Sequence, residues 1–445
     1  MNIVNILKKI PYIENLKKKL LITFFILLIY RIGAHIPTPG IDAVALSEFF
    51  KSASGTILSF VNMFSGGALS KLTVFALGVM PFISASIVMQ LLTASFPSLE
   101  KLAKEEGEYG RRKIMQYTRY LTLFIAVLQS LGIAIGLEKM HSPSGIPIVP
   151  NPGIGFIITT VLTLTAGTMF LLWLGEKITS KGIGNGVSLI IMAGILSSLP
   201  GALIELVTFL KTGQMEINKF VILGLVVIFM IVSVIIVELA EYKVPIRQTK
   251  RLISKTLMVS SSKNYLPLKL NPANVIPIIF AASVLMFPAT IARFIQHPWA
   301  VKLSEILSPQ NYWYYLIYAL LIFIFTYYYT AVIFNPKELA ENLNKMGMYI
   351  PGIRAGKETE KYLAKIVNKL TFMGAIFLTI IAIIPLLITQ KLGIPFYVGG
   401  TAVLIVVGVG LDLLRRLEAA ALEFSYESFL KKPKLIQKLK KFGYK

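Results

Sequence analysis

Not one cysteine occurs in the 445 residues. Disulfides, thiolate metal sites and a cysteine nucleophile are therefore excluded, and nothing about the redox compartment follows. Histidine is nearly as scarce: His35, His141 and His297 lie far apart, in or beside connections between apolar runs, and suggest no metal centre. No cofactor is expected. Acidic residues are also few, 22 against 45 Lys and Arg, and charged residues make up only 15 % of the chain. The centres of the long apolar runs carry no ionisable side chain at all. Arg31, Glu176, Glu205, Glu238 and Asp412 fall near the ends of runs, where lipid headgroups are expected to solvate them. Ion-coupled carriers keep such groups inside the bilayer for relay or binding, so this pattern counts against a proton- or sodium-coupled transporter.

Nucleotide chemistry is missing too. Gly182-Ile-Gly-Asn-Gly186 opens an apolar run rather than following a strand in a βαβ unit, and so lacks the context a phosphate cradle requires. In Pro351-Gly-Ile-Arg-Ala-Gly-Lys-Glu-Thr359 a proline stands where a phosphate-binding loop needs its first glycine. Energy for any work must come from a partner or an existing gradient, and the chain is not expected to be an enzyme.

What the chain does have is apolar length. Hydrophobic residues make up 55 % of it and the mean hydropathy is +0.70. Ten apolar segments lie near 20–36, 73–93, 117–137, 153–174, 186–208, 218–238, 273–294, 311–334, 367–388 and 397–414. Most match the ~20 residues that cross a bilayer as a helix. The expected fold is an all-α polytopic membrane protein of ten transmembrane helices. Charge fixes its orientation: with Met1 cytoplasmic, alternate connections and both tails hold 36 of the Lys and Arg, and the opposite side, counting Arg31, holds nine. The positive-inside rule then puts both termini in the cytoplasm. Lys17, Lys18 and Lys19 before Leu20 read as the flank of a signal anchor rather than of a cleaved leader.

Residues 55–72 are too short and polar to cross a membrane alone, yet too apolar for a solvated loop. Ile57 to Phe64 suggests a short helix ended by Gly66-Gly67, followed by a second helix containing Pro81. A half-helix at membrane depth needs protein or a water-filled cavity around it; an amphipathic turn on the outer leaflet is the alternative. Counting segments divides the chain into residues 1–210 and 211–430, five segments each and hence of opposite orientation, as in inverted-repeat transport proteins. A basic tail, 431–445, follows. The largest internal cytoplasmic connections, 239–272 and 335–366, are basic and long enough to dock a soluble partner as well as touch anionic lipid.

A set of ordered motifs now carries a resemblance. Gly66-Gly67-Ala-Leu, Phe75 to Gln90, Glu106 to Tyr120, Gly182 to Ser188, Asn335-Pro through Ile350-Pro-Gly-Ile-Arg354, and Phe396 to Thr401 together resemble SecY, the pore subunit of the bacterial protein-conducting channel (the Sec translocon), from about residue 15 to Tyr426. The resemblance implies two five-helix halves around an hourglass pore in the bacterial inner membrane. It also implies a re-entrant plug at about 57–67 (Ile57, Leu58, Ser59, Phe60, Val61, Asn62, Met63, Phe64) and a lateral gate between the spans holding Ile87 and Phe287. Carried over position by position, the pore ring becomes Ile83, Ile87, Val187, Ile191, Ile279 and Ile405. Ile83 and Ile87, like Val187 and Ile191, are four apart and share a helix face; Val187 is shorter than the isoleucine more usual in the family.

The same resemblance implies partners: a SecA motor ATPase docking at Arg354, with Lys250, Arg251 and Tyr426 as secondary contacts; small SecE-like and SecG-like membrane subunits; the ribosome; and signal-bearing nascent or precursor polypeptides that cross or leave sideways into lipid. Gln90 and Gln129, polar groups inside spans, are expected either to hydrogen-bond across the gate or to pack within their own half. The rival readings are an uncoupled small-molecule transporter and an insertase without a continuous pore.

Overall fold

The structure is a computed structural model that describes residues 14–52, 62, 64–104, 107–138, 140, 142–213, 216–248, 264–294, 302, 305–308, 311–392 and 400–430. Helices dominate it: α1 (Glu14–Gly33), α2 (Ala43–Ser52), α3 (Met80–Ser95), α4 (Pro97–Lys104), α5 (Gly107–Glu138), α6 (Ile154–Lys181), α7 (Gly186–Lys211), α8 (Ile217–Leu239), α9 (Ile276–Phe294), α10 (Tyr312–Ile333), α11 (Pro336–Lys345), α12 (Lys357–Leu392) and α13 (Gly400–Leu430). Each of the ten apolar segments falls on a helix, on α1, α3, α5 to α10, α12 and α13. Among the described residues, six helices are long and apolar enough on their own to cross a membrane, and a seventh crossing arises if α3 and α4, bent by 105°, are one span. The protein is a multi-pass membrane protein, and its lipid-facing surface is apolar: Leu225, Ile228, Phe229 and Ile236 of α8 are all exposed, as side chains solvated by hydrocarbon should be.

Several helices outrun the segments the sequence marks. α5 begins ten residues before 117, and α12 begins at Lys357 rather than 367, because Glu and Lys favour helix wherever the chain leaves the apolar layer. The second segment is shorter than expected: 73–79 form turns, and α3 begins at Met80 with Pro81 in its first turn, where a missing N–H costs nothing.

The connections 239–272 and 335–366 contain structure the all-α expectation omits. Strand β1 (Glu241–Gln248) lies between β2 (Asn264–Lys269) and β3 (Met348–Tyr349), antiparallel to both. Val244 and Ile246 of β1 alternate with exposed neighbours and bury against Leu268, Leu343, Ile350 and Leu363. Both connections thus fold into one platform with its own small core, β1 and β2 against α11, β3 and the start of α12.

Helix packing follows chain order: α3 with α5, α5 with α6, α6 with α7, and α1 with α6 and α7; then α9 with α10, α10 with α12, and α8 with α12 and α13. The two sets meet where α9 packs on α3 and α5 and where α13 packs on α7.

Candidate functional site

All six residues of the expected ring lie in one apolar cluster at the meeting of the two helix sets. Ile83, Ile87, Ile191 and Ile405 are buried there, and Val187 and Ile279 pack against them half-buried. Local sequence explains the placement. Asn185 caps α7, its side-chain oxygen accepting from the Ser188 N–H at 3.3 Å, so Val187 and Ile191 leave on the first turns of a fixed helix. A Cβ on Gly186 would collide with the Gly175 carbonyl; glycine there lets α7 start tight against α6. Pro81 in the first turn of α3 fixes the start that carries Ile83 and Ile87.

Residues of the expected ring line two cavities. One of about 840 Å3 is lined by Ile83, Val187, Ile191 and Ile279 together with Phe82, Met115 and Trp173. A second, of about 250 Å3, is lined by Ile191, Ile279 and Ile405 with Asn185, Asn274 and Asp412. The wall of the larger cavity is polar away from the ring. Arg119 of α5 donates to both carboxylate oxygens of Glu176 of α6, each at 2.7 Å, the two-pronged geometry that makes such pairs specific. β-Branched side chains are stiff at χ1 and give a constriction a defined bore, and a dry apolar constriction excludes ions by dewetting. Val187→Ile adds one methylene, worth ~0.8 kcal/mol of apolar contact, and is expected to lower the resting ion leak about threefold in planar bilayers. An unchanged or larger leak would contradict a role for Val187 in the bore.

The remaining residues fall as follows. The Gln90 amide packs within its own half: its Nε2 donates to Ser86 Oγ on its own helix at 3.3 Å, and Gln129 is half-buried on α5. The bond that joins α3 to the other helix set is instead Tyr328 OH donating to the Gln90 backbone carbonyl at 2.8 Å, a link from α10 that sequence reading missed. Arg354 stands exposed in the turn between β3 and α12, its carbonyl accepting from Thr359 Oγ1 at 2.9 Å, while Ile350 of the same motif is buried in the platform core. Lys250 and Arg251, and Ile57 to Val61 and Met63, lie outside the described residues, as does the tail 431–445; Asn62 and Phe64 are described. Tyr426 is on α13 and Phe287 on α9.

Two run-end charges are not solvated as expected. Glu238, at the end of α8, is only 5 % exposed. It accepts from Asn271 Nδ2 at 3.1 Å, and the Asn274 amide, turned nitrogen-inward, donates to both its oxygens at 3.0 Å. Arg415 of α13 donates to the Glu238 backbone carbonyl at 2.9 Å. Arg31 is half-buried and points at neutral acceptors rather than at headgroups. In both cases the missing signal was the partner, which is remote in sequence.

Apolar helices in two sets that meet at one apolar cluster, beside a cavity walled in part by Arg119 and Glu176, fit a channel-forming membrane protein. The SecY family profile matches residues 73–414. The chain is 50 % identical to the protein translocase subunit SecY of Aquifex aeolicus over 426 residues, 96 % of this chain and 99 % of that protein. It belongs to the SecY family, and is the pore subunit of a protein translocation channel. Two solved structures share its fold. One is a SecY whose plug domain stabilises the closed state and maintains a membrane seal (TM-score 0.63, 19 % identity, covering 94 % of this chain and 97 % of that one). The other is Sec61 in the canine ribosome-channel complex from the endoplasmic reticulum (TM-score 0.59, 18 % identity, 94 % and 97 %).

Proposed function

We propose that the chain conducts unfolded, signal-bearing polypeptides from the cytoplasm through the ring of Ile83, Ile87, Val187, Ile191, Ile279 and Ile405, and releases apolar segments into lipid between α3 and α9. The observation that supports this reading is that all six side chains, from α3, α7, α9 and α13, belong to or pack against one apolar cluster, and five of them line one or both of two cavities. Residues 1–210 and 211–430 act as two halves that part at the α3–α9 contact, with residues 57–67 as a plug. The excess of Lys and Arg on one side supports cytoplasmic termini, and likeness to bacterial SecY proteins supports a bacterial inner-membrane location.

The channel moves chains without covalent chemistry of its own, so a motor or a ribosome supplies direction. The β1–β2–β3 platform is the docking surface: it has a core of its own and presents Arg354 at an exposed turn. A SecA-type motor docks at Arg354, with Lys250, Arg251 and Tyr426 beside it. The ribosome uses the same basic connections through its phosphate backbone, in a salt-dependent way. Small SecE-like and SecG-like subunits complete the complex, the first clamping the two halves.

The test is motor-dependent translocation of a signal-bearing precursor into vesicles holding this chain and its small partners. Arg354→Glu is expected to reduce transport at least about tenfold, since reversing one partner of a buried interfacial charge pair costs 2–5 kcal/mol, with the complex still assembled. Normal transport by the variant would remove Arg354 as the docking contact. No transport by the parent chain would favour the insertase.

A further inference from the structure

Arg31 is a cation near the end of an apolar helix with no carboxylate in salt-bridge distance among the described residues. Its guanidinium Nη1 donates instead to the Gly66 carbonyl at 3.3 Å and to Ser197 Oγ at 2.8 Å. Ser197, on α7, spends its own proton on the Gly194 carbonyl at 2.7 Å. One residue before Arg31, Tyr30 is 1 % exposed and donates its hydroxyl to the Ser65 carbonyl at 3.2 Å. Two side chains of α1 thus converge on two consecutive carbonyls, Ser65 and Gly66, and Ser197 of α7 holds the Arg31 guanidinium in place.

The local backbone leaves both carbonyls room for a further donor: the Ser65 carbonyl accepts only a long bond from the Ala68 N–H, at 3.4 Å, and the Gly66 carbonyl has no backbone partner among the described residues. The Gly67 N–H bonds to the Asn62 carbonyl at 2.8 Å, and Gly66 and Gly67 have φ of +68° and +83°. This is a left-handed helix stop, and it turns the last carbonyls outward toward α1. Phe64, just before, is buried in the same cluster as the ring. Gly66 is also pressed against α7: a Cβ there would sit 2.9 Å from Gly194 Cα.

We infer that Tyr30, Arg31 and Ser197 form a latch that seats the Ser65–Gly66 end of the plug segment against α1 and α7, and so sets how readily the resting channel opens. The inference rests on reading residues 57–67 as a plug. Arg31 is the dominant member, because a hydrogen bond from an ionised donor contributes more than a neutral one. Its neutral acceptors make the latch releasable, since parting leaves no carboxylate unpaired. The three are positioning residues and need not touch the translocating chain.

Resting ion conductance in planar bilayers, with the small partner subunits present, tests the latch. The set is the parent, Arg31→Leu, Arg31→Lys, Ser197→Ala and a deletion of residues 57–64, with Arg31→Leu also placed on the deletion. Losing a charge-assisted bond to a buried acceptor is expected to raise the resting conductance of Arg31→Leu about tenfold. Ser197→Ala should show a smaller rise, and Arg31→Lys should restore most of the parent's seal. On the deleted background Arg31→Leu should add nothing. If the deletion leaks but Arg31→Leu and Ser197→Ala match the parent, the latch is wrong and the plug stands. If Arg31→Leu raises conductance equally with and without residues 57–64, Arg31 is merely structural and the latch is again wrong. If the deletion itself does not leak, the plug reading fails and the latch with it.

Discussion

Placing asparagine at both Ile191 and Ile405 is expected to raise the resting conductance of the assembled channel by more than tenfold, without stopping translocation. Both side chains are buried in the apolar cluster, at 4 % and 1 % exposure, and they come from different helix sets, α7 and α13. Ile191 faces both cavities and Ile405 faces the smaller one. An amide facing a dry apolar bore without a partner costs several kcal/mol. It recovers that free energy by drawing in water, and a wet bore conducts ions. Translocation survives because an amide remains narrow and makes no strong contact with a passing chain. Single-channel recording with the small subunits present gives the leak, and protease protection of imported precursor gives the transport. A double variant as tight as the parent would remove these isoleucines from the seal.

The second large effect belongs to Glu238. Glu238→Ala deletes the acceptor for both Asn271 and Asn274, leaving Asn271 Nδ2 only the Asn274 backbone carbonyl, at 3.0 Å, to donate to and the half-buried Asn274 amide without its carboxylate, where β2 hands over to α9. Removing the carboxylate from a buried hydrogen-bonded cluster costs about 3 kcal/mol. Asn274 also holds a φ of +59°, a conformation that needs support in any residue but glycine. We expect Glu238→Ala to lower the unfolding midpoint of the detergent-solubilised complex and to speed proteolysis of the 239–272 connection. Glu238→Gln, which keeps the shape and one acceptor oxygen, should lose much less. Equal stability of Glu238→Ala and the parent would show that the amides find other partners.

Glu238 also illustrates where sequence reading stops. Apolar length was enough to mark ten segments that all fall on helices, because it is a property of a stretch of chain. The platform strands were not found: β1 is eight residues with alternating Val244 and Ile246, too short to stand out beside spans of twenty. Its partner β3 lies about a hundred residues away, and such pairing leaves no local trace. Placing Glu238 and Arg31 in the headgroup region failed for the same reason, since Asn271 and Gly66, which engage them, are 33 and 35 positions distant. The ring was legible only through resemblance. Isoleucine in a membrane helix is unremarked by composition, and i, i+4 spacing on α3 and α7 names a face without saying what it faces. Folding supplies that answer by bringing α9 and α13 onto the same point. For Gln90, pattern pointed to the amide, whereas the bond that reaches the other helix set among the described residues uses its backbone carbonyl and Tyr328.

The central claim is that a polypeptide passes through the ring itself. Photo-crosslinking of a signal-bearing precursor arrested in transit tests it most directly, with the reactive group placed in turn at Ile191, Ile405 and the exposed Phe229 of α8. The account predicts adducts from Ile191 and Ile405 to the translocating part of the precursor and none from Phe229. Protected precursor that crosslinks to neither ring position would contradict it.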